Sequence, residues 1–108
     1  MISDITVVQP LGVLDSICGN QLRRDVGDLL ESKQVNILVD CQGIEFMDSS
    51  GLSCLIMTLK NVRAAGGELA LSNINGQVRL LLELTAMEGI IKVYAGVEDF
   101  SQGIFALK

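Results

Sequence analysis

Short apolar runs alternate along this sequence with longer segments whose apolar residues recur at the spacing of a helix. Four of these runs, most of them rich in β-branched residues, predict strands: Ile5–Gln9, Val35–Asp40, Glu68–Ser72 and Ile90–Tyr94. A segment with helical spacing follows each run. Connections of this kind lead from one parallel strand to the next, so the sequence predicts an α/β fold. We expect a roughly four-stranded, largely parallel sheet with about four helices.

Capping residues and glycines set the predicted ends of the helices. The first helix should begin at Asp15 or Ser16, and the second should open at Asp48–Gly51 and stop at Gly66–Gly67. The predicted helices are Ser16–Ser32, the segment from Asp48 to Gly66, Gln77–Ala86 with Asn75 as its cap, and Val97–Leu107. The segments Leu11–Asp15 and Cys41–Met47 are predicted to be a turn and a connection.

The charge balance and the missing histidine exclude several kinds of site. The formal net charge is -5, and the only adjacent basic pair, Arg23 and Arg24, is followed by Asp25. Nucleic acids and anionic membranes require clustered basic residues, so we expect neither as a partner. The sequence contains no histidine, which removes histidine-based catalytic triads and the usual zinc ligand. We therefore expect no metal, no cofactor and no enzymatic activity.

The cysteines and the apolar runs indicate a compartment. Cys18, Cys41 and Cys54 are odd in number and form no CxxC motif, which is typical of reduced thiols in the cytosol. The segment Met1–Asp4 does not resemble a signal peptide, and no apolar run approaches the length of a membrane span. We expect a cytoplasmic protein that forms a single domain over residues 1–108.

The most informative stretch is Phe46–Leu52, which places Asp48, Ser49, Ser50 and Gly51 where a helix begins. A phosphate on a hydroxyl group here would face unpaired backbone N–H groups and the positive end of the helix dipole. Gly51 has no Cβ to block the approach, although the charge of Asp48 would repel a phosphate. The same residue types are the commonest helix caps, so the pattern alone leaves both capping and function open.

The predicted topology would bring this stretch close to a second acidic residue. Sites in open parallel sheets lie at the carboxyl ends of the strands. Here that edge comprises Leu11–Ser16, Cys41–Ser50 and Asn73–Gly76. Asp15 and Ser49 should both lie on it, although Asp15 is also a candidate cap of the first helix.

The heptapeptide Phe46–Leu52 resembles the signature of the STAS domain family, the sulfate-transporter and anti-sigma-factor-antagonist domains. The resemblance is closest to bacterial anti-anti-sigma factors. Other segments resemble the family in the same order along the chain: Leu11–Asp15 its Gly-x-Leu-Asp turn, Val35–Asp40 its central strand, Ala65–Leu69 the entry to its third strand, and Val78–Gly89 its helix that ends in a Thr/Ser-x-Met/Leu step. The similarity covers nearly the whole chain.

The resemblance implies a regulatory binding protein. In the family, a partner that is both an anti-sigma factor and a GHKL-type serine kinase phosphorylates the first serine of the motif, which is Ser49 here. A PP2C-type phosphatase is the second expected partner. The unphosphorylated protein sequesters the anti-sigma factor, and a sigma factor is released. The partner-binding rim implied by the resemblance consists of Asp15, Asp48, Ser49, Ser50 and Gly51.

Two other functions stay open at this stage. The chain could be a STAS accessory subunit of a transporter ATPase, in which Ser49 only caps a helix. It could also be a small enzyme or a nucleotide-binding protein. The missing histidine and the lack of a phosphate-binding glycine loop disfavour that third function.

The sequence departs from the family pattern at three places. The usual first antiparallel strand is missing or confined to Met1–Asp4, so Ile5–Pro10 should form an exposed sheet edge. Pro10 and the shortness of the strand would protect that edge, and we expect a monomer or a weak dimer. Val13 stands where many relatives carry Glu, and Ser53 where many carry Gly.

Overall fold

The computed structural model of the protein describes residues 4–106. Six strands and four helices follow one another in these residues. The strands are β1 (Ile5–Val8), β2 (Gly12–Leu14), β3 (Asn36–Asp40), β4 (Ile44–Met47), β5 (Glu68–Ser72) and β6 (Lys92–Tyr94). The helices are α1 (Ser16–Glu31), α2 (Ser49–Ala64), α3 (Gly76–Leu84) and α4 (Val97–Ala106).

The main sheet has four strands in the order β1-β3-β5-β6, and every neighbouring pair is parallel. This confirms the predicted α/β fold and the four predicted parallel strands. The last strand is shorter than predicted, because the N–H groups of Ile90 and Ile91 both donate to the carbonyl oxygen of Met87 at 2.9 Å. Ile90 and Ile91 therefore belong to the turn after α3.

Two strands lie where the sequence predicted none. β2 and β4 form a separate parallel pair in which Gly12 aligns with Ile44 and Leu14 with Met47. The predicted turn at Leu11–Asp15 and the predicted connection at Cys41–Met47 are therefore wrong in part. These strands are only 3 and 4 residues long, and Gly12 has a φ of +79°, which resembles a turn more than a strand.

The helices cover the main sheet unequally. Three helices (α1, α2 and α3) contribute to a large apolar cluster on one face, whereas α4 alone supplies the helical part of a smaller cluster on the other. Alternate residues of β3 serve the two clusters: Ile37 and Val39 face the large one, and Leu38 faces the small one. Burial on both sides explains the continuous apolar run of this strand.

The helix boundaries agree closely with the predicted ones. The carboxylate of Asp15 caps α1 by accepting hydrogen bonds from the N–H groups of Ile17 and Cys18, and Asn75 caps α3. α2 stops before Gly66, whose φ of +88° strongly favours a residue without a Cβ. The predicted end of the last helix, Leu107, lies outside the described residues.

In the described part of the chain, β1 is an edge of the main sheet. Asp4 does not belong to a strand, and Met1–Ser3 lies outside the described residues. The prediction of a monomer or weak dimer stays a prediction.

Candidate functional site

The short β2–β4 pair brings two helix N-termini together. Leu14 and Met47 end the two strands as aligned partners, and both are almost fully buried. Asp15 and Asp48 come next and lead into α1 and α2. The N–H group of Asp48 donates to the carbonyl oxygen of Leu14 at 3.2 Å, which ties the start of α2 to the end of β2.

Asp48 caps α2, and Ser49 is the first residue of the helix. The Oδ1 atom of Asp48 accepts a hydrogen bond from the N–H group of Gly51 at 2.8 Å. The idea that Ser49 itself caps the helix is therefore wrong, because the preceding carboxylate occupies that position. Ser49 and Ser50 are both exposed in the first turn of α2.

Gly51 lets the first turn of α2 lie directly against β2. A Cβ atom at this position would be 1.9 Å from the carbonyl oxygen of Leu14, far inside van der Waals contact. A second close approach joins α1 to α2, since a Cβ atom on Gly19 would lie 2.6 Å from the Cβ atom of Cys54. Small residues thus fix the two N-termini with respect to each other.

Exposed apolar side chains flank the two serines. On the outer side of the β2–β4 pair, Val13 and Phe46 are aligned partners, 44% and 47% exposed. Along α2, a shallow groove begins at Ser49 and is lined mainly by apolar side chains: Leu52, Ser53, Ile56, Met57, Thr85 and Met87. Ser49 therefore lies among apolar side chains that are exposed to water in the free chain.

The first turn of α3 contacts β4 through two polar side chains. The Oε1 atom of Gln77 accepts from the N–H group of Met47 at 2.9 Å, and its Nε2 atom donates to the carbonyl oxygen of Met47 at 2.8 Å. Asn75 donates through Nδ2 to the carbonyl oxygens of Ile44 and Glu45 at 3.2 and 3.1 Å. Sequence reasoning missed both contacts, because polar residues at the start of a helix are usually solvated.

Asp40 joins the carboxyl ends of three strands. Its carboxylate accepts hydrogen bonds from the side-chain amides of Asn73 and Gln9, both at 2.9 Å, and from the N–H group of Gln42 at 3.0 Å. These bonds favour the ionised form and lower the pKa of Asp40 below its usual value, with Asn73 as the largest cause.

A pH dependence follows from Asp40. Because its pKa is lower in the folded chain than in the unfolded chain, its contribution to stability is complete above about pH 4 and is lost as the pH falls through the folded value. The Asp40→Asn variant should therefore be less stable than the wild type at pH 7, and the difference should shrink at pH 3. Urea denaturation at both pH values measures this. Glu88→Gln, at an exposed turn, is the control, and an equal loss at both values would contradict the prediction.

The three cysteines are free thiols that differ in exposure. Cys41 is buried, and burial, together with the negative charge of Asp40, raises the pKa of its thiol to about 12. Cys54 is also buried, whereas Cys18 is partly exposed. A thiol that stays protonated and buried is a poor nucleophile.

Thiol labelling should reproduce this order. In the native chain at pH 8, iodoacetamide should modify Cys18 first, and Cys41 and Cys54 should react only after unfolding. Mass spectrometry of tryptic peptides measures the three rates, with the urea-unfolded chain as the control. Modification of native Cys41 as fast as that of Cys18 would be inconsistent with the buried, protonated thiol.

Membrane-spanning helices and clusters of metal-binding side chains are both absent between residues 4 and 106. None of the helices there is long and apolar enough to cross a membrane. In the same residues, no group of three or more Cys, Asp or Glu side chains could hold a metal ion.

The structure brings all five predicted site residues to the adjacent N-termini of α1 and α2. Asp15 lies at the start of α1, and the other four, Asp48 to Gly51, form the start of α2. They follow the β2–β4 pair, which lies beyond the main sheet, and not the main strands themselves.

Comparisons with known proteins reveal similarities in sequence and in fold. The anti-sigma F factor antagonist of Paenibacillus polymyxa is 28% identical over 91 residues, which are 83% of this chain and 78% of that protein. The crystal structure of an anti-sigma factor antagonist from Mycobacterium paratuberculosis matches with a TM-score of 0.77 and 19% identity, covering 97% of this chain and 92% of that one. The structure of the Bacillus cell fate determinant SpoIIAA in the phosphorylated form matches with a TM-score of 0.65 and 18% identity, covering 100% and 96%.

The two solved structures agree with the fold described above. The family itself is shown by the sequence, because a model of the STAS domain matches residues 1–100. The resemblance noted at Phe46–Leu52 is thereby confirmed, and the chain belongs to the STAS domain family.

Proposed function

We propose that the chain is an anti-sigma factor antagonist whose binding to its partner is switched by phosphorylation of Ser49. Unphosphorylated, it sequesters an anti-sigma factor, and a sigma factor is released. The anti-sigma factor is also the serine kinase, of GHKL type, and a PP2C-type phosphatase restores the free serine. The chain itself acts as a binding module in the cytoplasm and not as an enzyme.

The exposed hydroxyl group of Ser49 carries this proposal. It belongs to the first residue of α2. The start of this helix is fixed by the hydrogen bond from Asp48 to Leu14 of β2 and by the Asp48 cap, so a kinase could reach the hydroxyl group without unfolding the helix. The Paenibacillus polymyxa relative is named an anti-sigma F factor antagonist, and one structural neighbour, SpoIIAA, was solved in a phosphorylated form. These names support the assignment of the same role to this chain.

Phosphorylation of Ser49 would weaken binding by adding negative charge to the surface that contacts the partner. Apolar groups around Ser49, with Val13 and Phe46 on one side and the groove along α2 on the other, would be covered when the partner docks. A phosphoserine adds about -1.5 to -2 charge at pH 7. That charge would be desolvated in the complex, beside the carboxylate of Asp48, and binding would weaken without any change of fold.

The carboxylates of Asp15 and Asp48 indicate which side chains the partner should present to this surface. Both carboxylates lie at the helix starts, on the rim of the contact surface, where they accept hydrogen bonds from the N–H groups of Ile17, Cys18 and Gly51. A partner with basic groups opposite this rim and apolar side chains in the centre would complement it.

The proposal is tested by phosphate transfer. The purified chain is incubated with its anti-sigma partner and ATP, and the phosphorylated peptide is sequenced by mass spectrometry. We expect a single phosphate on Ser49 and none in the Ser49→Ala variant.

The adjacent serine supplies the matched control, because Ser50 is also exposed and lies in the same helical turn. Ser50→Ala should accept phosphate as the wild type does. Phosphate on Ser50, or no transfer to the wild type, would count against the proposed switch.

A further inference from the structure

We propose that Gln77 is a positioning residue for Ser49. Its side-chain amide forms hydrogen bonds with the last residue of β4, and these bonds fix the position at which α2 begins. The inference rests on the proposed function, because it concerns how the serine is presented to the partner.

The side chain of Gln77 bonds to the backbone of Met47 as a neighbouring strand would. Gln77 both accepts from the N–H group of Met47 and donates to its carbonyl oxygen, at 2.9 and 2.8 Å. In a sheet, a neighbouring strand would satisfy these two groups. Within residues 4–106, β4 pairs with β2 alone, so the amide of Gln77 takes the place of a strand on the opposite side.

A second side chain of the same turn extends the pairing. Asn75 donates to the carbonyl oxygens of Ile44 and Glu45, nearer the start of β4, and its Oδ1 atom accepts from the N–H group of Val78. Asn75 thus caps α3 and holds β4 at the same time. The start of α3 is thereby bonded along nearly the whole length of the strand.

The position of Met47 determines that of Ser49. Met47 is fully buried, and only Asp48 separates it from the serine. Without the amide of Gln77, the backbone N–H and carbonyl groups of Met47 would be left without a partner in the interior. The end of β4 would have to move towards water to satisfy them, and the first turn of α2 would move with it.

The test compares Gln77→Met with a control substitution in another part of the core. Methionine keeps the length of the side chain and removes both hydrogen-bonding groups. Ile104→Val, in the small cluster under α4, removes one methylene on the other face of the sheet. Gln77→Glu keeps the acceptor for the Met47 N–H group, loses the donor and places a negative charge opposite the Met47 carbonyl oxygen. It replaces Gln77→Met if that variant does not fold.

Hydrogen exchange of the free chain gives the first readout, which needs no partner. In Gln77→Met, protection of the amides of Met47, Asp48 and Gly51 should fall by about fivefold or more. The same amides should keep their protection in Ile104→Val, apart from any loss shared by the whole chain. Unchanged exchange at Met47 in Gln77→Met, or at Asp48 and Gly51 in Gln77→Glu where that variant is used instead, would overturn the proposed role.

Calorimetric titration with the anti-sigma partner gives the second readout. Gln77→Met should bind about fivefold more weakly than Ile104→Val, although it leaves the serine and its hydroxyl group intact. Equal affinities for the two variants would overturn the positioning role. Failure of the wild type to bind would contradict the proposed function, and the exchange experiment would still decide on Gln77.

Discussion

Ser49→Asp should bind the anti-sigma partner about 100-fold more weakly than the wild type, because a charge must lose its water inside the contact surface. The fold should be nearly unaffected. Asp48 supplies the cap of α2, so the substitution only adds a carboxylate to the first helical turn, where the helix dipole is favourable and the neighbouring Asp48 is not. Calorimetry measures the affinity, and urea denaturation measures the stability.

Ser49→Ala is the matched variant. It removes the phosphate acceptor but no cap, so the free energy of unfolding should change by less than about 0.5 kcal/mol. Its affinity for the partner should equal that of the unphosphorylated wild type. If the Ala and Asp variants bind equally well, Ser49 does not lie in the contact surface, and a role as an accessory subunit of a transporter ATPase would gain support.

Gly51→Ala should destabilise the chain by about 2–3 kcal/mol or more, a large part of the roughly 5–15 kcal/mol typical of a domain. The added methyl group would meet the backbone carbonyl group of Leu14, and a backbone atom cannot rotate away as a flexible side chain can. The first turn of α2 would have to separate from β2. Thermal or urea denaturation measures the loss.

Gly27→Ala, in the middle of α1, provides a control of the opposite sign. Nothing lies within 4 Å of a Cβ atom built on Gly27, so alanine brings only its better helix propensity. We expect a gain of about 0.5–1 kcal/mol. A similar stability change in both variants would mean that the close contact of Gly51 with Leu14 is absent in solution.

The main sheet could be predicted from the sequence because its two central strands, β3 and β5, are buried on both faces. Val35–Asp40 and Glu68–Ser72 each contain a run of three apolar residues, and each is followed by a capped segment with helical spacing. β2 could not be predicted in the same way, since it has 3 residues and contains Gly12 in a left-handed conformation. Such a strand exists because β4 aligns with it, which is a contact between distant parts of the chain.

The residues of the candidate site could also be predicted only in part from the sequence. Asp48 and Ser49 can be recognised in the sequence, because residues that cap helices or expose a hydroxyl group at a helix start form a local pattern. Gln77 has none, because its bonds to Met47 span 30 positions along the chain. The sequence also could not decide whether Ser49 or Asp48 caps α2, since both residue types cap helices well and only the backbone geometry distinguishes them.

Calorimetric titration of the anti-sigma partner with the wild-type chain, before and after phosphorylation of Ser49, would show directly whether the phosphate controls binding. The unphosphorylated chain should bind, and the chain carrying phosphoserine should bind at least about 100-fold more weakly. Circular dichroism of both forms checks that the fold is the same. Equal affinity of the two forms would mean that phosphorylation of Ser49 does not control binding.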